Sequence, residues 1–483
     1  MVRAGEPAFR PRIAVVGGGI SGLAAAYRVT ELCPQAELVV FEAGLRVGGV
    51  LHTIHEAGFQ VEQSADNFIT TVPWGVELCR RLGMADELIQ TNPAFRHTFV
   101  VRRGRLHKLP DGFLMMAPTR LWPMAVTRLL SPWGKLRAAW EYVIPPRQED
   151  GDESMAQFVR RRLGREVFER LVEPLVSAVY AADMEKLSLE ATLWQFRDME
   201  RKYGSLIRAM RARQKAQPPG QPADSGARYS LFVTPRRGLS SLIETLARRL
   251  PARSIRLGAK VQRLDRTPGG DWLLWAAGVD QNPERFHAVI LATPSHVASG
   301  LLKNLDPGLS ADLASIEHSG TAIVSVAFAR QQVAHPLDGM GVVVPAIERS
   351  PILACSFSSQ KYAHRAPEGY VLLRVFVGGA RRPDLAVMDD EPLCALVLGE
   401  LSRLLGIRGQ PVYTNVAHWP GTMPQYHVGH KDLVGRIEAA ARRLPRFALA
   451  GNAYRGVGIP HCIYSGQQAA EQVLAQIPPV APG

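Results

Sequence analysis

The chain has 483 residues, 46% hydrophobic and 21% charged, a length that exceeds one compact core and a balance typical of a globular protein. No run of about 18 uncharged apolar residues occurs, which excludes a bilayer-spanning helix; no apolar h-region opens the chain, and Cys33, Cys79, Cys355, Cys394 and Cys462 form no CxxC, so a cytoplasmic protein without disulfide framework or zinc site is expected. Of the formal net charge of +13, the segment Arg96 to Lys215 carries +9, from 23 Lys/Arg against 14 Asp/Glu; such a patch suits anionic lipid or an acidic substrate, and with no nucleic-acid module beside it nucleic acid is not expected.

The first predicted element is an apolar strand running into a glycine turn and a small-residue helix, Arg12-Ile-Ala-Val-Val-Gly-Gly-Gly-Ile-Ser-Gly22 followed by Leu23-Ala-Ala-Ala-Tyr27. It reads as a dinucleotide site: Gly17 permits the tight turn, Gly19 admits a pyrophosphate to the backbone, and Gly22 lets helix and strand pack closely. The phosphates would sit on the helix N-terminus, where free N–H groups and the dipole favour an anion. A second strand, Glu37-Leu-Val-Val-Phe41, ends in Glu42, a carboxylate placed for ribose hydroxyls. Ala43-Gly-Leu-Arg-Val-Gly-Gly-Val50 continues the turn, and in similar flavoproteins such an Arg and Gly pair extends the cradle, so FAD is expected over a nicotinamide.

Val76 to Leu82 reads as a helix, Ala85 to Ile89 as a helical turn, and Thr98 to Leu109 as a hairpin about Arg103-Gly104. From Phe113 to Arg147, prolines at 118, 123 and 132 break a Leu-, Met- and Trp-rich segment into short helices, either a buried cap or a patch resting on a membrane with Phe113, Leu114, Met115, Met116, Leu121 and Trp122 inserted; the cap is preferred. Ser154 to Arg213 is strongly helical, with Arg160-Arg-Arg162 on an exposed turn, and 214–227 reads as a loop. A helix to Leu250 and strands at 254–257, 259–265, 271–276 and 287–292 return to the nucleotide unit, the last as a buried parallel strand. Longer β-branched strands at 322–328, 341–345, 352–358 and 370–377, interrupted by one helix from Pro392 to Leu405, predict a broad, mostly antiparallel substrate sheet. The chain closes with strand Arg446 to Ala450, a glycine loop to Gly458 and a helix from Ile459-Pro460. A flavin needs such a second N-terminus beside its pyrimidine ring. His418, His427 and His430 have no acid in ligand register, and no metal site is expected.

From about Arg12 to Leu474 the chain resembles the FAD-dependent, oxygen-using protoporphyrinogen and coproporphyrinogen oxidases of haem biosynthesis, within the amine oxidase superfamily. The resemblance rests on the Gly17 turn and the Glu42 to Gly49 loop. More specific blocks are Leu171 to Ala181, His335 to Pro345, Arg365-Ala-Pro367, Phe376-Val-Gly-Gly379 and Ala450-Gly-Asn452 with Gly456-Val-Gly-Ile-Pro-His-Cys-Ile463. It implies an α/β fold. An interrupted Rossmann-like FAD-binding domain (10–75, 227–300, 441–480) would join a sheet substrate domain (76–100, 301–440) and an α-helical insertion domain (101–226) that in relatives touches the membrane surface. FAD contacts would fall on Gly17, Gly18, Gly19, Ile20, Ser21, Gly22, Glu42, Ala43, Arg46, Gly49, Val50, Val261, Val457, Gly458 and Ile459. The porphyrinogen would lie among Asn67, Thr98, Val343, Ser356 and Phe376, with Asn67 as polar guide and Phe376 against the flavin. Plant relatives carry arginine at the position of Thr98 and leucine at that of Ser356, so Arg96 is expected to take over a propionate. Molecular oxygen would be the acceptor; a homodimer and peripheral contact with the inner face of the cell membrane are left open. The alternatives are a polyamine or aromatic amine oxidase and a non-catalytic porphyrin-binding flavoprotein.

Overall fold

A computed structural model describes residues 9–95, 97–118, 120–216, 232–278 and 282–478. Arg96 and most of the 214–227 loop lie outside them. The fold is mixed α/β, built on two principal sheets.

The first sheet has five parallel strands in the order Ile255–Arg256, Glu37–Phe41, Arg12–Val16, Ala288–Leu291, Phe447–Leu449. Its strands are short and apolar because both faces are covered. Ile13 and Val15 point into one core with Leu23, Val29, Leu242 and Ile463, while Ala14 and Val16 point into another with Trp272, Phe286 and Leu313. Helices Ser295–Leu302, Pro307–Ala314 and His430–Arg443 pack on this second core. Pro307–Ala314 and most of His430–Arg443 do so although they fall in the stretch from 301 to 440 expected for the substrate sheet, because their apolar stripes find their partners on the parallel sheet.

The second sheet has seven strands in the order Tyr413–Pro424, His318–Ala329, Tyr370–Gly378, Ile352–Phe357, Gly341–Val343, Thr98–Arg102, Arg105–Lys108. All neighbours are antiparallel except Gly341–Val343 with Thr98–Arg102. Helix Asp390–Leu405 covers one face, and the helices between Met155 and Ala216 face the other.

Several local expectations need correction. Leu88 and Ile89 are not helical: only Ala85–Glu87 make a turn, and Leu88–Gln90 pairs with Phe232–Pro235. The hairpin Thr53–Glu56 with Phe59–Glu62 and the long strand Tyr413–Pro424 escaped sequence reading, the latter because Pro420, Gly421 and Pro424 imitate a loop. Phe113 and Met116 are core residues as the cap reading requires, but Leu121 and Trp122 are exposed.

Arg160-Arg-Arg162 is not an exposed turn. It closes helix Met155–Leu163, and Arg162 is wholly buried. Its guanidinium pairs with the buried Glu141 and also donates to the carbonyls of Ile144 and Gly204, both at 2.9 Å. Glu141 in turn accepts from Ser205 Oγ (2.6 Å) and the Leu206 N–H (2.8 Å). Glu200 is held by Arg161 at 2.5 Å and Arg197 at 2.7 Å. A run of arginines reads as a solvated face in a sequence; here the buried carboxylates Glu200 and Glu141 neutralise Arg161 and Arg162, while Arg160 pairs nearer the surface with Glu185.

Candidate cofactor and substrate site

The turn after Arg12–Val16 is fixed by backbone. Gly17, at φ 109°, donates to the Phe41 carbonyl at 2.8 Å, and Gly48 donates to the Gly18 carbonyl at 2.8 Å. Only glycine fits at 22, where a Cβ would collide with the carbonyl oxygen of Gly17. Gly19, by contrast, faces open space, with nothing within 4 Å of a Cβ built there. Gly19 is the N-cap of helix Ile20–Leu32, and no side chain caps that end. Glu42 leaves its strand and accepts from Gly18 N–H and Gly44 N–H, both at 2.7 Å, with carboxylate lone pairs to spare. Arg46 folds back on its own loop, donating to the Gly49 carbonyl at 2.7 Å and to those of Val47 and Leu51. It therefore shapes the cradle that carries Ala43, Gly49 and Val50. Val261 opens strand Val261–Arg266 in the core beneath Phe41.

The closing loop mirrors this end. Helix Ile459–Leu474 starts at Gly458, again without a side-chain cap, and its Gly466 is seated on Ser21 of the first helix. Tyr426 braces the loop: its hydroxyl donates to the Asn452 carbonyl and accepts from the Gly456 N–H at 2.9 Å. His430 stacks on Tyr426 at 3.9 Å and bonds the Tyr454 carbonyl at 3.1 Å. Burial pulls the His430 pKa down to about 4 from an ordinary 6.5. A base whose folded pKa is depressed stabilises the fold fully above the unfolded value, and that contribution fades as pH falls through the folded one. Stability is thus expected to fall by up to about 3 kcal/mol as pH drops from about 6.5 to 4, read as a falling melting temperature; in His430→Phe that part of the slope should vanish.

The residues fit a flavin dinucleotide. Two uncapped N-termini stand at C-terminal ends of parallel strands, the place where such sheets bind ligands. Between them Thr293 Oγ1, next to the Gly17 turn, is buried with no hydrogen-bond partner among the described residues. Val457 packs into the same core as Val343 and Phe376, so the closing loop abuts the substrate sheet.

On that sheet the expected substrate residues gather on one face, in two rows. Val100, Val343, Ala354, Phe376, Ile323 and Ala417 are successive cross-strand neighbours, and two residues along each strand lie Thr98, Gly341, Ser356, Arg374, Ser325 and Asn415. One row is apolar and the other polar. Asn67 joins them through Asp66: its amide donates to Asp66 Oδ1 at 2.7 Å, and Asp66 Oδ2 lies 3.0 Å from Lys361 Nζ and 3.5 Å from Arg374 Nη1. Against burial, which would raise it, Lys361 and Arg374 hold the Asp66 carboxyl down to about 2.

Sequence reasoning missed Arg374, Asp66 and Lys361. A signal existed for the first: one arginine inside the apolar strand Tyr370-Val-Leu-Leu-Arg-Val-Phe-Val377. His418 is committed to Asp390 (2.7 Å) and the Ala386 carbonyl, and the described residues hold no cluster of metal-ligating side chains.

A model of flavin containing amine oxidoreductases matches residues 20–474. The coproporphyrinogen III oxidase of Bacillus subtilis is 34% identical over 474 residues, 97% of this chain and 99% of that one. That of Propionibacterium freudenreichii is 35% identical, covering 97% and 92%. The crystal structure of an Exiguobacterium sp. 255-15 protein assigned as a protoporphyrinogen oxidase superposes with a TM-score of 0.86 at 32% identity, over 97% of this chain and all of that one.

Proposed function

The chain belongs to the flavin containing amine oxidoreductase family, and from that premise we propose that it is an FAD-dependent porphyrinogen oxidase of haem biosynthesis that uses oxygen and acts on coproporphyrinogen III. The supporting observation is the juxtaposition of a two-ended cofactor cradle with a sheet face split into an apolar and a polar row. A flat macrocycle rimmed by carboxylates has that same division, whereas a polyamine offers no apolar plate to cover.

When bound, FAD supplies the two-electron acceptor for each of three successive oxidations and returns the electrons to molecular oxygen as hydrogen peroxide. The chain's own part is positioning. Gly17 to Gly22 and Gly458-Ile459 hold the two ends of the cofactor, with Glu42 on the ribose and Val261 at the adenine. Phe376 and Val343 press the macrocycle flat, and Asn67, tied to Asp66, gives a pyrrole N–H a polar neighbour. No nucleophile or metal is required.

Purified protein should be yellow, and aerobic mixing with coproporphyrinogen III should give red fluorescence and three equivalents of peroxide. A side-by-side assay with protoporphyrinogen IX tests the choice of substrate, and turnover of spermine instead would support the amine oxidase alternative. Phe376→Ala, which removes the largest side chain of the apolar row, should raise KM about tenfold or more, as expected when an aromatic contact worth about 1.5 kcal/mol is lost. An unchanged KM would remove Phe376 from the site.

The helical unit supports peripheral membrane contact. Trp122, Trp133 and Trp140 are more than half exposed beside Leu121, Val126, Leu136 and Val143, on a basic segment. No helix among the described residues is long and apolar enough to cross a membrane. Replacing the three tryptophans with serine should abolish sedimentation with anionic vesicles while leaving the flavin content unchanged.

A further inference from the structure

The polar row has an unbalanced charge at its centre. Arg374 is 1% exposed, yet its Nε and Nη1 have no hydrogen-bond partner among the described residues; only Nη2 is used, on the Ser64 carbonyl. The surrounding cluster contains three cations and two anions. Arg365 takes Glu62 at 2.7 Å and Lys361 takes Asp66 at 3.0 Å, which leaves Arg374 3.5 Å from a carboxylate oxygen already bonded to Lys361. A buried cation without its own counter-ion is costly, and so is each unpaired N–H. Directly across the strand pair stands Ser356, whose buried hydroxyl also has no partner. Next in the row Gly341, at φ 156°, leaves the sheet without a side chain between Ser356 and Thr98, since a Cβ there would strike the Cys355 carbonyl. Unpaired donors and unbalanced charge therefore coincide in this row.

We propose that Arg374, assisted by Ser356, receives a carboxylate of the substrate while the adjoining Val343–Phe376 row takes the ring. The guanidinium also lies 5.4 Å from the centre of the Phe376 ring, so the anion-binding and ring-binding rows are in contact. The rows are two residues apart along each strand, about 7 Å, comparable to the reach from a pyrrole ring to the end of a propionate. This assignment rests on the porphyrinogen reading and deepens it: the carboxylate goes to a strand arginine from the second half of the chain, independently of Arg96.

The test is equilibrium fluorescence titration of the FAD-loaded protein with coproporphyrin III and with its uncharged tetramethyl ester. The unmodified chain should bind the acid more tightly than the ester. Arg374→Gln should weaken acid binding by about a hundredfold and Ser356→Ala by about tenfold, as for charge-assisted and hydroxyl hydrogen bonds, and neither should change ester binding. Arg374→Lys should recover part of the loss. Should Arg374→Gln fail to fold, Ser356→Ala still decides, because the hydroxyl it deletes supports nothing else. Equal losses for acid and ester, or full retention of acid preference in the variants, would overturn the carboxylate assignment alone. Failure of the unmodified chain to bind either porphyrin would overturn the porphyrinogen reading itself.

Discussion

Gly22→Val is expected to give colourless protein. The carbonyl of Gly17 occupies the space a side chain at 22 would need, and Gly17 cannot retreat because its N–H is bonded to Phe41 and its own position is backed by the Ala292 carbonyl. Overpacking at such a contact costs about 1–3 kcal/mol or more, equivalent to a ten- to hundredfold loss of FAD affinity if the turn alone absorbs it. Gly19→Ala separates cradle from fold. Its Cβ touches nothing in the protein but intrudes where the diphosphate would pass, so apo-protein stability should be unchanged while flavin retention falls. Flavin content measured after gel filtration, with melting of the apo forms, checks both. Stoichiometric flavin in Gly22→Val would move the cofactor's diphosphate elsewhere.

The second large effect lies in the helical unit. Arg162→Met leaves Glu141 buried with its cation gone, and removing one member of a buried pair costs about 3–5 kcal/mol. Chemical denaturation should show that loss, concentrated in the Met155–Ala216 helices, with flavin absorbance surviving to higher denaturant than helicity. The double variant Glu141→Leu with Arg162→Met should regain a substantial part, because apolar pairs of similar volume often replace buried ion pairs at little cost. The remaining orphans, among them the Ser205 hydroxyl and the Leu206 and Ile207 N–H groups, limit that recovery.

What could be read beforehand divides along physical lines. The opening and closing glycine loops were legible because backbone demands there leave few residue choices, and strands such as Arg12–Val16 and Glu37–Phe41 because apolar runs between turn signals have no other reading. Thr98, Val343, Ser356 and Phe376 came from resemblance, and their common face follows only from the cross-strand register, which no local pattern encodes. Arg374 and Arg162 escaped for the same reason. A charged residue reads as exposed until the carboxylates that surround it, Asp66 for one and Glu141 for the other, are brought in from distant parts of the chain.

The order of strands in the two sheets dictates when the molecule can fold. The strand Arg12–Val16 meets Glu37–Phe41 early but must wait for Ala288–Leu291 on its other side, and Thr98–Arg102, already paired with Arg105–Lys108, must wait for Gly341–Val343, while one outer place in each sheet is filled by Phe447–Leu449 and Tyr413–Pro424. Such long-range closure is slow and exposes strand edges in the meantime. A nascent chain emerging from the ribosome thus carries two half-built sheets through most of its synthesis, and both are completed only in the last stretch of translation. C-terminal truncation before Phe447 is accordingly more damaging than the loss of a single short strand suggests, since it leaves the parallel sheet an open, aggregation-prone edge.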